Sequence, residues 1–147
     1  MKLVGLGALD KALKKHIKDF KLTLAEKRRL AITTLVQELA INIPVWSGRT
    51  IESIRIANSP VYAALQGAPS PTDSLGEQNR ASATAEALAQ VAKANYMPER
   101  KVFLTIHSEA WGLVEIAQAP RPGAARNKAV VSQLAIAAMK AKHPYVR

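Results

Sequence analysis

The chain changes direction at Ile43-Pro44-Val45-Trp46-Ser47-Gly48-Arg49-Thr50, the stretch that decides how the rest is arranged. A helical pattern runs into Pro44, which ends it because proline lacks an N–H and its ring clashes with the preceding turn. Ser47-Gly48 then permits a sharp reversal, and a polar, β-branched run begins at Arg49. The stretch therefore predicts a boundary between a long helix and an extended segment, with a structural rather than a catalytic role.

Two helices are predicted before this boundary. The first covers Leu6–Asp19, with apolar residues at every third or fourth position: Leu6, Leu9, Leu13 and Ile17. Thr23 and Glu26 have the Thr-x-x-Glu spacing of a capping box, which predicts that a second helix starts there and ends at Pro44. The second helix has an apolar face, and it consists of Ala25, Ile32, Leu35, Val36, Leu39 and Ala40.

Short strands and further helices are predicted after the boundary. In order they are an extended segment at 50–56 after about one helical turn, a loop at 67–79, an alanine-rich helix at 80–94, a strand at 101–107, a partner strand at 111–116 and a helix at 128–142. No internal repeat is visible. The sequence predicts a single α+β domain over 1–147, with N-terminal helices and a C-terminal helix packed on a small antiparallel sheet and a flexible insert at 67–79.

Composition narrows the class of protein. The chain has 147 residues, 48% of them hydrophobic but only 5% aromatic, and it has no cysteine. Disulfide frameworks and thiolate chemistry are therefore excluded, and a reducing compartment suits the chain. No apolar stretch is long enough to span a bilayer, and lysines interrupt the N-terminal segment where a signal peptide would be apolar. We expect a protein of the cytoplasm with no membrane association.

The net charge of +10 is concentrated at the two ends. Residues 1–29 carry nine basic and three acidic side chains, residues 30–119 carry six and eight, and residues 120–147 carry six basic and none acidic. Basic ends of this kind attract polyanions or acidic protein surfaces. Solvated lysines on exposed helix faces explain the same pattern equally simply.

No constellation for catalysis or metal binding is evident. His16, His107 and His143 are predicted on different elements without a second ligand at metal-binding spacing. Glu109 and Glu115 are a carboxylate pair of the kind that performs acid–base chemistry, but solvated surface glutamates are far more common. We therefore expect no enzymatic activity, no metal and no cofactor.

A second turn-forming cluster, Gln118-Ala119-Pro120-Arg121-Pro122-Gly123, follows a strand-like run that contains Glu115. Together with Pro44-Val45-x-Ser47-Gly48-Arg49, in this order and spacing, it resembles the neck or tail-completion (head–tail joining) family of tailed bacteriophages. That family typically has Pro-Val-Asp-Thr-Gly-Arg and then Gln-Ala-Pro-x-Gly. Here Trp46 replaces the acidic residue, and the second motif is one residue longer. The resemblance extends over about residues 24–142.

The resemblance implies a structural virion protein without catalytic residues. Copies would form a homo-oligomeric ring, six-fold or twelve-fold, that joins the portal and connector to the tail while genomic DNA passes without sequence-specific contact. The protein would be found at the head–tail junction of the virion, and in the host cytoplasm during assembly. The motif residues would shape turns, and the candidate interface residues are Trp46, Trp111, Arg121 and Arg126.

Two alternatives stay open at this stage. A tail terminator or a connector protein of the same junction would have a similar sequence pattern. A small basic DNA-binding protein is an alternative of another class, and it predicts a reading helix or stacking aromatics on a basic sheet. For the two tryptophans, partial burial in the core of the domain is the simpler interpretation.

Overall fold

One α-helix, α1 (Leu6–Asn42), dominates the structure. The computed structural model describes residues 6–45, 48–61, 76–108, 111 and 131–146. After α1 come the short helix α2, the strand β1, a 3-10 turn, the helix α3, the strand β2 and the helix α4. Their bounds are Arg49–Glu52 for α2, Ile54–Ala57 for β1, Glu77–Asn79 for the 3-10 turn, Arg80–Val91 for α3, Phe103–Ile106 for β2 and Val131–Lys142 for α4. The mixed α+β class predicted from the sequence is confirmed.

The prediction of two N-terminal helices is wrong, because α1 is continuous for 37 residues. Thr23 does not cap a new helix, since its hydroxyl donates to the backbone carbonyl of Asp19 at 3.0 Å, one turn back. Glu26 instead accepts from Arg29, at 2.7 Å, one turn ahead. No proline or glycine occurs between residues 8 and 43, so nothing in the backbone stops the helix.

The sheet consists of β1 and β2, which pair antiparallel with Ile54 opposite Ile106 and Ala57 opposite Phe103. The sequence predicted both strands but assigned residues 111–116 as the partner of the second. Trp111 has helical backbone conformation rather than strand, and 112–116 lie outside the described residues. The described partner of β2 is β1, which lies about 50 residues earlier in the chain.

The helix α3 ends at Val91, three residues before the predicted end. The cause is tertiary, because the Tyr96 hydroxyl donates to the Val91 carbonyl at 2.8 Å. The Asn95 N–H, which would continue the helix to that carbonyl, donates to Asn58 Oδ1 at 2.7 Å instead. Asn58 also donates to the carbonyls of Asn95 and Lys101, and it thereby fixes the turn between α3 and β2.

The core is built mainly from aliphatic side chains, as the low aromatic content predicts. Helix α1 packs against α4 and α3, and α3 packs against α2 and β1. One buried cluster unites all five of these elements. Its members that expose the least surface are Val36, Ile43, Ile51, Ile54, Ala83, Ala87, Val131 and Ala135. The predicted insert is not described before residue 76, and residues 128–130 of the predicted last helix are not described either.

Candidate assembly surface

The first four turns of α1, residues 6–20, form an arm. No other part of the described structure buries this arm. Every residue from 6 to 20 is exposed. Five large apolar side chains are among them, and Leu9 and Phe20 expose 66% and 69% of their surface. We call the five the apolar stripe, and they are Leu6, Leu9, Leu13, Ile17 and Phe20. Their spacing of three or four residues places them on one side of the helix.

Lysines occupy the sides of the arm away from the apolar stripe. Lys15 is two residues from both Leu13 and Ile17 and therefore lies on the opposite side of the helix. Lys14 is one turn from Ile17 and flanks the stripe. Its ammonium forms an exposed ion pair with Asp10 at 2.7 Å, and such surface pairs contribute little stability. The arm is thus a cationic amphipathic helix that displays both of its faces.

Residues 24–42 of α1 are the covered half. Ala31, Val36, Leu39 and Ala40 are buried there. Contacts from the C-terminal segment show that α4 runs antiparallel to α1: Lys142 pairs with Glu38 at 2.8 Å, and the Tyr145 hydroxyl reaches the Lys27 carbonyl at 3.1 Å. The last described residues therefore lie beside the start of the covered half, and no described residue buries the arm.

A hydrogen-bonded clamp fixes this C-terminal segment on α1. His143 bonds through Nε2 to the Thr34 hydroxyl and through Nδ1 to the Tyr145 hydroxyl, both at 2.8 Å. Tyr145 in turn donates to the Lys27 carbonyl, and the Lys27 ammonium lies 5.4 Å from the centre of the Tyr145 ring. Both ring nitrogens of His143 therefore have hydrogen-bond partners within the clamp.

Two arginines position the elements around the covered half by binding backbone carbonyls. Arg28 donates to the carbonyls of Tyr96, Met97 and Arg100 at 2.6 to 2.9 Å. Arg80 caps the C-terminal end of α1 through the carbonyls of Ala40, Ile41 and Ile43. It also pairs with Glu77 at 2.6 Å, and this hydrogen bond lowers the pKa of the Glu77 carboxyl. Neither arginine could be predicted from the sequence, because carbonyl binding leaves no sequence signature.

The first motif forms the corner that follows this cap. Pro44 and Val45 are buried, and Gly48 has φ of +85°. A Cβ atom on Gly48 would lie 3.0 Å from the Ala83 Cβ, so both its conformation and its contact with α3 require glycine. Arg49 begins α2. Pro44, Val45, Gly48 and Arg49 therefore lie at the boundary between α1 and α2.

The corner is tied to the end of β2 as well. The Thr50 hydroxyl lies 3.0 Å from that of Ser108, and Ser53 donates to the Thr50 carbonyl at 2.7 Å. Trp111 follows Ser108 by about one helical turn, and its backbone N–H donates to the Ser108 carbonyl. Its side chain is half-buried and packs against the core cluster. Among the interpretations of Trp111, a domain-core anchor fits this placement.

The other predicted site residues lie outside the described residues. They are Trp46, Ser47, Glu109, Glu115, Gln118, Ala119, Pro120, Arg121, Gly123 and Arg126.

The three histidines are on separate elements, as predicted. His16 is exposed on the arm, and His107 bonds to the Val61 carbonyl at 2.6 Å. Among the described residues, no three His, Asp or Glu side chains converge to hold a metal ion. No helix in the described ranges has the length and apolarity to cross a bilayer.

Comparison with known proteins found no match among protein-family models, curated proteins or solved structures. Assignment of function therefore depends on the residues and geometry of this chain.

Proposed function

We propose that this protein is a structural subunit of the head–tail junction of a tailed bacteriophage. In this proposal, copies form a homo-oligomeric ring of the neck or tail-completion type that joins the portal and connector to the tail. Genomic DNA passes through the ring without sequence-specific contact. No residue is assigned a catalytic role, and no cofactor is needed. The finer arrangement expected from the family, with both terminal helices on an antiparallel sheet, belongs to the proposal too.

The observation that carries the proposal is the arm. Five large apolar side chains in a row on an exposed helix are costly to leave in water, and contiguous exposed apolar patches usually mark interaction sites. A second support is the resemblance of the two turn clusters to the neck family. The buried corner at Pro44 and Gly48 fits a motif that shapes the subunit rather than one that performs chemistry.

The geometry also fits a ring. A closed ring repeats one contact between two different faces of each subunit. The arm extends from one end of the covered half, while α3 and α4 present other faces of the body. A subunit of this shape can therefore donate an arm on one side and accept one on another.

Native mass spectrometry and negative-stain electron microscopy of the purified protein test this proposal. We expect a closed homo-oligomer, alone or after mixing with the portal, connector and tail proteins encoded by neighbouring genes. A chain that stays monomeric and binds none of these components would reject the proposed function. Placement within a virion by cryo-electron microscopy would separate a neck subunit from a tail terminator.

The basic DNA-binding alternative has one observation in its favour, the row of lysines on the arm. It does not account for the apolar stripe, because phosphate contacts are made by the lysines alone. A gel-shift titration with duplex DNA over a range of salt concentrations tests it. Tight binding at physiological salt that depends on Lys11, Lys15 and Lys18 would favour this alternative.

A further inference from the structure

The segment 143–146 is attached to α1 by polar contacts on an exposed surface, and we call this segment the strap. None of its residues is buried, and Tyr145 exposes 43% of its surface. The backbone N–H groups of His143 and Val146 donate to the carbonyls of Met139 and His143, so these bonds connect the strap to itself and to α4. The hydrogen bonds between the strap and α1 are those of the clamp.

The hydrogen bonds of the clamp run in a single direction. The Tyr145 hydroxyl has one proton and donates it to the Lys27 carbonyl at 3.1 Å. Nδ1 of His143 is therefore the donor in its 2.8 Å bond to that hydroxyl. In the neutral ring, Nε2 then accepts from the Thr34 hydroxyl at 2.8 Å. Because each bond orients the next, we expect the strap to attach and detach as a unit.

The strap lies on one side of α1, over the region between Lys27 and Thr34. Ala31 is one turn from each of these two residues and lies on the same side of the helix. It is only 2% exposed, yet it does not belong to the buried core cluster. The described polar contacts to this side of α1 come from Lys142 of α4 and from the strap. We therefore attribute the burial of Ala31 to these two elements.

This side of α1 continues the line of the apolar stripe. Phe20, Lys27 and Thr34 are spaced seven residues apart, and seven residues are close to two full turns of an α-helix. Ala31 follows Leu13 by 18 residues, which is five full turns. The strap therefore covers the part of α1 that is in line with the stripe and begins two turns after its last residue.

We infer that the strap is a conformational device: it detaches from α1 as a unit while the core stays folded, and it thereby uncovers Ala31 and the side of α1 that continues the apolar stripe. Local opening of this kind occurs where hydrogen bonds are exposed and few side chains are buried. The inference goes beyond the proposed function and does not depend on it, since the opening takes place within one subunit.

The first experiment measures cysteine accessibility, because the chain has no cysteine of its own. Three single substitutions on α1 are compared by their rate of alkylation. Ala31→Cys reports detachment of the strap, Val36→Cys in the core reports global unfolding, and Gln37→Cys gives the rate of an exposed site. Alkylation of Ala31→Cys should be at least about tenfold slower than that of Gln37→Cys and at least about tenfold faster than that of Val36→Cys.

Substitutions in the clamp test what holds the strap. Tyr145→Phe keeps the ring but removes both hydrogen bonds of the hydroxyl, and it should raise the alkylation rate of Ala31→Cys by about fivefold or more. Thr34→Val removes the bond to the imidazole and should raise the rate too. Thr33→Val is the matched control and should leave the rate unchanged, because the Thr33 hydroxyl bonds at 2.9 Å to a carbonyl one turn back in α1.

Hydrogen exchange provides a second measurement without a cysteine beneath the strap. The Val146 amide is hydrogen-bonded within the strap, so its exchange reports the same opening. Tyr145→Phe should accelerate this exchange by the same factor as it accelerates alkylation of Ala31→Cys, as opening of a single unit requires.

Three outcomes would overturn the inference. Equal alkylation rates for Ala31→Cys and Val36→Cys would show that the strap opens only when the whole protein unfolds. Equal rates for Ala31→Cys and Gln37→Cys would show that the strap is not closed. If Tyr145→Phe accelerates exchange at Val146 but leaves alkylation of Ala31→Cys unchanged, the strap does not cover this side of α1.

Discussion

The two halves of α1 differ in what surrounds them, although they belong to one helix. The covered half buries Ala31, Val36, Leu39 and Ala40, and this part of the molecule packs against α3 and α4. The arm has the same kind of apolar periodicity, yet every one of its residues is exposed. Periodicity alone therefore shows that a helix has an apolar face but not whether that face is covered within the chain. The difference separates residues that stabilise the fold from residues whose apolar side chains are exposed to solvent.

The largest expected effect compares two leucines, one in each half. Leu39 is only 2% exposed, so Leu39→Ala should lower the free energy of unfolding by about 2–5 kcal/mol through lost burial and a cavity. Leu13→Ala should change it by less than about 0.5 kcal/mol when the protein is monomeric, as at other exposed positions. Urea denaturation at low protein concentration measures both. Equal losses would show that the arm is covered within the monomer.

A smaller effect is expected from the arginine that caps the covered half. Arg80→Met keeps the aliphatic stem but removes charged hydrogen bonds to carbonyls at the end of α1, and it should cost about 1.5–3 kcal/mol. Arg29→Met removes an exposed pair with Glu26 and should lower the free energy of unfolding much less than Arg80→Met does. The same denaturation experiment compares the two. If both substitutions cost equally little, the cap does not stabilise the corner.

Two glycines provide the next comparison. Gly48 has φ of +85° and a close contact with Ala83, so Gly48→Ala should destabilise the fold by about 1–2 kcal/mol from the backbone conformation alone. Gly7 is the second residue of α1, with nothing within 4 Å of an added Cβ, and Gly7→Ala should raise helix stability by less than about 0.5 kcal/mol, since the penalty of glycine is largest in the middle of a helix. Thermal unfolding followed by circular dichroism should shift in opposite directions. Shifts of the same sign would contradict the geometry of one of the two sites.

The smallest expected effect on stability at neutral pH concerns Tyr96, whose backbone carbonyl accepts a hydrogen bond from Arg28. Burial raises the pKa of the Tyr96 hydroxyl to about 12. The unfolded chain would lose this proton near pH 10, so the stabilising contribution is complete below pH 10 and is lost as pH rises to about 12. Tyr96→Phe should flatten the loss of stability over this window.

Much of the fold could be predicted because its signals are local. Pro44 and Gly48 mark the end of a helix and a turn in the sequence. The start of α3 at Arg80 and the strand around Phe103 follow from composition and periodicity. The end of α3 could not be predicted, because Tyr96 and Asn58 take the hydrogen-bonding groups that would extend it. The pairing of β1 with β2 was missed because four-residue strands contain too little pattern to identify a distant partner.

The candidate surface was predictable only in part. The spacing of Leu6, Leu9, Leu13 and Ile17 predicted a helix with an apolar face, but the capping box at Thr23 suggested a break that would let this helix fold onto the body. Thr23 bonds back to Asp19 instead, and the arm stays aligned with the rest of α1. The family resemblance and the function it implies stay predictions, since no known protein or structure matched the chain.

Because α1 is continuous, the length of the helix fixes how far the end of the arm lies from the covered half. Without a hinge between residues 8 and 43, the reach of the arm is set by the number of helical residues rather than by a mobile joint. Inserting or deleting one heptad would move the tip by about 10 Å and rotate it only slightly. The number of residues in α1 therefore sets the distance between the covered half and any molecule that the end of the arm contacts.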